Sequence, residues 1–352
     1  MSWDIIKIQR ENGEWTEAQA PLIVSASRST DIPAFYADWF FHRLKVGYSI
    51  WTNPFNNKDL YISYQNTKFI VFWSKNPHNL IKHLGELSQR GIGCYIQYTL
   101  NDYVTEGLEP NVPNVEIRIE TFKKLVNKLG KGHVIWRFDP LIMTDEISLD
   151  DLLQKIKYIG DRLHGYTEKL VFSFADIISY GRVKQNLERS GIHYIDFTQE
   201  KMHKFAAKLA VLNKEWGYEL ATCGEQIDLS DYGVQKNHCI DDRLIVRFGY
   251  HSKELMTELG AEIWQPDMFS PEPPADAILL ENGQYAIINK NNRDRGQRIS
   301  AGCGCMKSKD IGQYNTCPHL CEYCYANTSK EAALANYERH KLYPHSAKIV
   351  GA

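Results

Sequence analysis

From about residue 20 to residue 225 the chain repeats one theme: a short β-rich run ends in polar residues and a helical stretch follows. The runs are LIVSAS (22–27), YSIWTN (48–53), FIVFWS (69–74), CYIQYT (94–99), HVIWRF (133–138), LVFSFA (170–175) and ELATCG (219–224). Between them lie helical patterns such as 146–164, where Ser148 caps and Asp151 answers it three residues on. Another is 199–216, with Met202, Phe205, Leu209, Leu212 and Trp216 close to one face. Near-continuous apolar strands alternating with helices indicate parallel strands covered by helices. Seven such units predict an α/β fold over residues 1–240, a parallel (β/α) barrel, TIM-like or partial. The chain has 352 residues, 43% of them hydrophobic, enough for one such domain.

A barrel of this kind builds its site from the loops after the C-terminal ends of its strands. Those ends carry Ser27-Arg28-Ser29-Thr30-Asp31, Thr52-Asn53-Pro54, Ser74-Lys75-Asn76, Asn101-Asp102, Arg137 and Asp139, Asp176 and Glu225. Loops are polar in any case, so the recurrence carries more weight than any one residue. Arg137 and Asp139, in WRFDP, are read either as a structural ion pair or as substrate contacts, and Glu225 as facing the same cavity. Lys75 is a carboxylate- or phosphate-binding group or a solvated rim lysine. Trp51, Trp73 and Trp136 are expected to be packing residues. After about residue 240 the rhythm breaks. Residues 241–300 read as a connecting segment, in which Asn-Gly between two apolar runs (278–288) predicts a hairpin. Arg293, Arg295 and Arg298 form a basic loop there. Residues 301–352 form a cysteine-rich segment and a closing helix expected to pack on the barrel.

Five of the eight cysteines crowd into the span from Cys303 to Cys324, which in a reducing compartment points to metal rather than to disulfides. Cys317, Cys321 and Cys324 have the spacing C-x3-C-x2-C. Three thiolates this close can each bind a different iron of a [4Fe-4S] cluster and leave the fourth iron open to a chelating ligand such as S-adenosylmethionine. Zinc is the rival; it wants a closed tetrahedral set, which this spacing suits poorly, and His319 between the first two cysteines has little reach. Cys303, Cys305, Cys223 and Cys239 would suffice for a second iron–sulfur cluster or a structural zinc; the bland reading is that Cys223 and Cys239 are ordinary buried thiols. Cys94 is expected in the core.

The string CPHLCEYCYAN resembles the cluster motif of the radical S-adenosylmethionine superfamily, in the form found in its spore photoproduct lyase branch. The longer CGCMKSKDIGQYNTCPHLCEYCYAN is similar to an uncharacterised bacterial family at the edge of that superfamily. The resemblance implies a radical enzyme of unknown substrate and an electron donor such as flavodoxin or ferredoxin. It places Tyr323 near the adenine of the cofactor. The superfamily usually carries its cluster loop after the first barrel strand, so a C-terminal loop implies a circularly permuted barrel. The stretch ending at Asn315 would then precede LIVSAS in strand order, the helix beginning near Thr328 with Glu331 in a capping box would be the first barrel helix, and Ser25, Ser27 and Arg28 would contact the methionyl part of the cofactor.

A net charge of −2 gives no overall positive field for nucleic acid, so a nucleic-acid substrate is the less favoured alternative, and a zinc-binding barrel without radical chemistry is the other. No apolar run is long enough to span a bilayer, and the opening MSWDIIKIQRENGEW lacks signal-peptide features, so a cytoplasmic protein is expected.

Overall fold

The structure, a computed structural model, describes residues 3–178, 181–266, 268, 271–294 and 303–351. Its centre is an eight-stranded sheet. In chain order the strands are β1 (Ile23–Ala26), β2 (Phe69–Ser74), β3 (Gly93–Thr99), β4 (Val134–Leu141), β5 (Lys169–Phe174), β6 (Glu219–Thr222), β7 (Val234–Lys236) and β8 (Lys309–Asp310). They lie side by side as β7-β6-β5-β4-β3-β2-β1-β8, and every neighbouring pair is parallel. The two-residue strand that leads into the cysteine loop thus pairs with β1, Lys309 opposite Val24 and Asp310 opposite Ser25.

Alternate residues of each strand serve two cores, as the two-residue strand period requires. Val24, Ile70, Phe72, Ile96, Trp136, Leu170 and Phe172 pack on Ile119, Phe122, Ile156, Ile159, Phe205 and Leu209. These belong to the helices Val115–Leu129, Leu149–Leu163 and Gln199–Trp216. Ile23, Phe69, Val71, Tyr95, Ile135 and Val171 face the other way, onto Ile245, Val246, Phe248, Leu255 and Leu259. Those residues lie on the helices Asp242–Gly249 and Lys253–Leu259.

This arrangement corrects the expected barrel, closed or permuted. Among the described residues the edge strands β7 and β8 do not pair with each other, so the fold is mixed α/β with an open parallel sheet. A barrel packs the inner face of its sheet against itself. Here that face is covered by the segment read as a connector. The close approach is visible at Gly93, where a Cβ would stand 2.7 Å from the Phe69 ring and 2.8 Å from the Phe248 carbonyl.

The run YSIWTN is a second correction. Tyr48–Thr52 belongs to a separate four-stranded sheet with Ile5–Gln9, Trp15–Gln19 and Asp59–Ser63. It pairs antiparallel with Asp59–Ser63. A partner six residues away across an asparagine-rich turn wins over a distant parallel neighbour, because closing the short loop costs less entropy. The hairpin at Ile278–Leu279 and Tyr285–Ile288 forms, with Gly283 in the left-handed region. The helix Leu149–Leu163 carries its Ser148–Asp151 capping box. The last helix, Lys330–Leu342, is capped by Ser329 rather than Thr328, whose amide and hydroxyl donate to Asn315 Oδ1 instead. Among the described residues no helix is long and apolar enough to cross a membrane.

Candidate functional site

The loop carrying Cys317, Cys321 and Cys324 lies over the C-terminal ends of β1, β2 and β3, held by the segments that follow them. Asp31, after β1, accepts from Ser74 Oγ and the Lys75 amide at 2.7 Å each, and its Oδ2 stands 2.9 Å from His319 Nε2. The other ring nitrogen of His319 lies 3.1 Å from the Asn111 carbonyl, and Asn111 Nδ2 donates to the Pro318 carbonyl at 2.9 Å. His319 is therefore spent on anchoring the loop, with both nitrogens turned to protein oxygens. Leu320 takes a left-handed conformation (φ 56°), and the Cys324 amide donates back to the Cys321 carbonyl at 3.1 Å. The Ala326 amide donates to Cys324 Sγ at 3.3 Å. Cys321 is buried and the other two thiols are half-buried. Burial pushes all three thiols up, while Lys75 draws Cys321 and Cys324 down.

Beneath the loop lies a buried polar group that local sequence patterns do not reveal. Lys75 Nζ donates to Glu109 Oε1 and to the Tyr323 hydroxyl, each at 2.7 Å. Asn101 Nδ2 donates to the same hydroxyl at 3.1 Å, and Tyr323 itself donates to Glu109. Arg118 stands 3.7 Å from the other Glu109 oxygen. Burial alone would raise the Glu109 carboxyl, yet Lys75 and Arg118 outweigh it and hold it at about 2. Lys75 is thus no solvated rim lysine. Tyr323, expected beside an adenine, has its hydroxyl inside this group and its ring edge-on to Tyr103.

Arg137, Asp139 and Glu225 come together at the ends of β4, β5 and β6. Asp139 accepts from Arg137 and from Ser173, and its amide donates to Asn101 Oδ1 at 2.9 Å. Glu225 accepts from the Phe174 amide at 2.8 Å; burial, with Asp139 nearby, raises its carboxyl to about 7. Asn101 therefore joins the Lys75–Glu109–Tyr323 group to Asp139.

Ser25, Ser27 and Arg28 are engaged with protein partners. Ser25 Oγ accepts from Trp73 Nε1 at 2.9 Å. Asp310, on β8, accepts from Ser27 Oγ at 2.9 Å and from the Arg28 amide at 2.8 Å. Gly312 permits this contact, since a Cβ there would stand 1.7 Å from Ser27 Oγ. The Arg28 guanidinium lies 5.7 Å from the Trp73 ring centre, and Arg137 lies 5.3 Å from it.

The remaining cysteines also converge, apart from Cys94, which is buried in the core with its thiol pushed up to about 12. Cys223 Sγ and Cys239 Sγ are 3.1 Å apart. The Cys239 amide donates to Cys305 Sγ at 3.1 Å. Asn237 Nδ2 and Arg137 Nη1 donate to Cys239 Sγ at 3.2 and 3.3 Å. Hydrogen bonding from Cys305 draws the Cys303 thiol down to about 6. Gly304 between them has no room for a side chain, because a Cβ would stand 2.1 Å from His238 Nε2. Among the described residues, no group of three or more His, Cys, Asp or Glu side chains is already arranged to hold a metal ion. Arg295 and Arg298 lie outside the described residues, and Arg293 bridges to Met306. A cavity of about 230 Å³ lined by Glu188 and residues 191–194 touches neither cysteine set.

No curated protein and no solved structure matches the chain. One family does, from the first residue of β1 to two residues beyond Cys324, with all eight cysteines inside the matched span. The chain belongs to the family described as Domain of unknown function (DUF1848), which matches residues 23–326.

Proposed function

We propose that this protein is a radical S-adenosylmethionine enzyme acting on a small molecule in the cytoplasm, with a reduced flavodoxin or ferredoxin as electron donor. One observation carries the reading: three thiols share one short loop laid over the ends of β1, β2 and β3, and the nearby histidine is turned away onto Asp31. The donor set fits a [4Fe-4S] cluster in type and number, with Cys317, Cys321 and Cys324 as its ligands. When bound, that group supplies one electron to the sulfonium carbon–sulfur bond of S-adenosylmethionine, and so a 5′-deoxyadenosyl radical.

The chain's own residues do the rest. Asp31, Asn111 and His319 hold the loop against the strand ends. Lys75 places a positive charge beside Cys321, which favours the thiolate a metal needs. Tyr323 ties the middle of the motif to Glu109 and Asn101. Arg137, Asp139 and Glu225 line the adjoining strand ends and are the groups assigned to substrate.

The test is anaerobic reconstitution with iron and sulfide, then a strong reductant and S-adenosylmethionine. The expected products are 5′-deoxyadenosine and methionine, and Cys321→Ala should abolish both. Cleavage that survives in the variant, or a colourless protein whose single-loop cysteines hold zinc, overturns the proposal.

A further inference from the structure

We infer that Cys223, Cys239, Cys303 and Cys305 form a second metal site, a tetrathiolate for a thiophilic metal, with Arg28 and Arg137 as its counter-cations. The site is independent of the cluster loop: its ligands come from the end of β6, the turn after β7 and the segment before β8.

Four observations meet there. The thiols are gathered from positions as far apart as 223 and 305, with Cys223 and Cys239 at 3.1 Å. Two of their sulfurs, although set in the apolar core of the sheet's second face, receive N–H groups: the Cys239 and Ile240 amides on Cys305 at 3.1 and 3.5 Å, and Asn237 and Arg137 on Cys239. Donors aimed at sulfur orient and stabilise thiolate ligands, which apolar packing by itself does not do. The backbone is shaped for the pair Cys303 and Cys305, since His238 fills the space a side chain at residue 304 would need. Finally, both guanidiniums lie within 6 Å of the Trp73 ring centre, at 5.7 and 5.3 Å, and Arg137 donates to Cys239 Sγ.

Charge balance accounts for the arginines. Four thiols lose four protons to solvent and form metal–sulfur bonds. Four thiolates around a zinc ion, or around an iron–sulfur core of charge +2, leave a net −2, which Arg28 and Arg137 offset in part, each being shared with a carboxylate, Asp310 and Asp139 respectively. A buried double negative charge without them would be costly. With metal–sulfur bonds of ~2.3 Å at tetrahedral angles, ligand sulfurs stand about 3.8 Å apart. On a single metal ion Cys223 and Cys239 therefore need to open by about 0.7 Å from their 3.1 Å, a small side-chain rotation.

Metal content decides the matter. A Cys317→Ala/Cys321→Ala/Cys324→Ala variant, purified anaerobically, should still carry metal, and adding Cys303→Ser and Cys305→Ser should remove it. Iron with acid-labile sulfide identifies a cluster, and zinc alone a zinc site; either supports the inference. Equal metal in the two variants, or a Cys223–Cys239 disulfide in the parent, overturns it. Because the first variant lacks the cluster loop, the outcome is separate from that of the S-adenosylmethionine cleavage assay. Should the five-fold variant fail to fold, the parent supplies the answer: partly exposed Cys303 should resist alkylation until a chelator strips the metal, and an unchanged alkylation rate overturns the inference. Arg137→Gln should weaken metal binding by about 10- to 100-fold.

Discussion

Replacing Lys75 by Met removes one cation from a carboxylate that has no contact with water. The Glu109 side chain is 0% exposed and lies 2.7 Å from Lys75 Nζ, and Arg118, the other cation, is 3.7 Å away. Burial works against the Glu109 charge, but Lys75 and Arg118 hold the carboxyl at about 2 against an ordinary 4.5. That difference is worth about 3 kcal/mol of folding free energy at neutral pH. Breaking a buried pair from one side costs about 3–5 kcal/mol. With Arg118 retained, Lys75→Met is expected to cost about 3 kcal/mol at neutral pH. The sign with pH follows from linkage. A carboxyl depressed by folding stabilises above its unfolded value, and the gain is lost as the pH falls from 4.5 to about 2. In the variant Glu109 keeps only Arg118 as a cation, titrates higher than in the parent, and that acid-side gain shrinks. The gap between parent and variant therefore widens from about pH 2 to about pH 4.5. Denaturant unfolding followed by tryptophan fluorescence across that range measures it. The double variant Lys75→Met/Glu109→Gln should recover most of the loss. A gap that does not change with pH, or a double variant no more stable than the single one, refutes the reasoning.

Three further outcomes are expected. His319→Gln should leave the iron content unchanged while loosening the cysteine loop, measured as faster alkylation of Cys317; loss of stoichiometric metal would mark His319 as a ligand. Gly160→Ala gains about 1 kcal/mol of helix propensity, yet its Cβ would meet the Trp216 ring at 2.6 Å. Overpacking of about 1–3 kcal/mol should dominate and lower the melting temperature. Gly312→Ala, with a Cβ 1.7 Å from Ser27 Oγ, should be destabilising by about 1–3 kcal/mol, and Ser27→Gly in the same chain should restore part of it.

The amino-acid order alone carried the local structure. Runs such as FIVFWS and LVFSFA are buried on both sides, so their unbroken apolar character announces interior parallel strands. Ser148 and Asp151 announce a helix start because both partners sit within one turn. The spacing of Cys317, Cys321 and Cys324 marks a three-thiol loop for the same reason: everything it needs lies within eight residues. What required the tertiary structure depends on contacts between distant residues. Whether the sheet closes is decided by what covers its second face, and the helices Asp242–Gly249 and Lys253–Leu259 take that place. Tyr48–Thr52 looks like any other strand until its antiparallel partner is seen to capture it. Glu109 in a loop is indistinguishable from a solvated carboxylate until Lys75, Arg118 and Tyr323 close around it. Asp310 likewise acquires its role only because β8 pairs with β1, more than 280 residues away in the chain. Local signals report propensity, which acts over one turn or one strand; charge pairing and sheet closure are set by long-range packing, which short sequence windows do not contain.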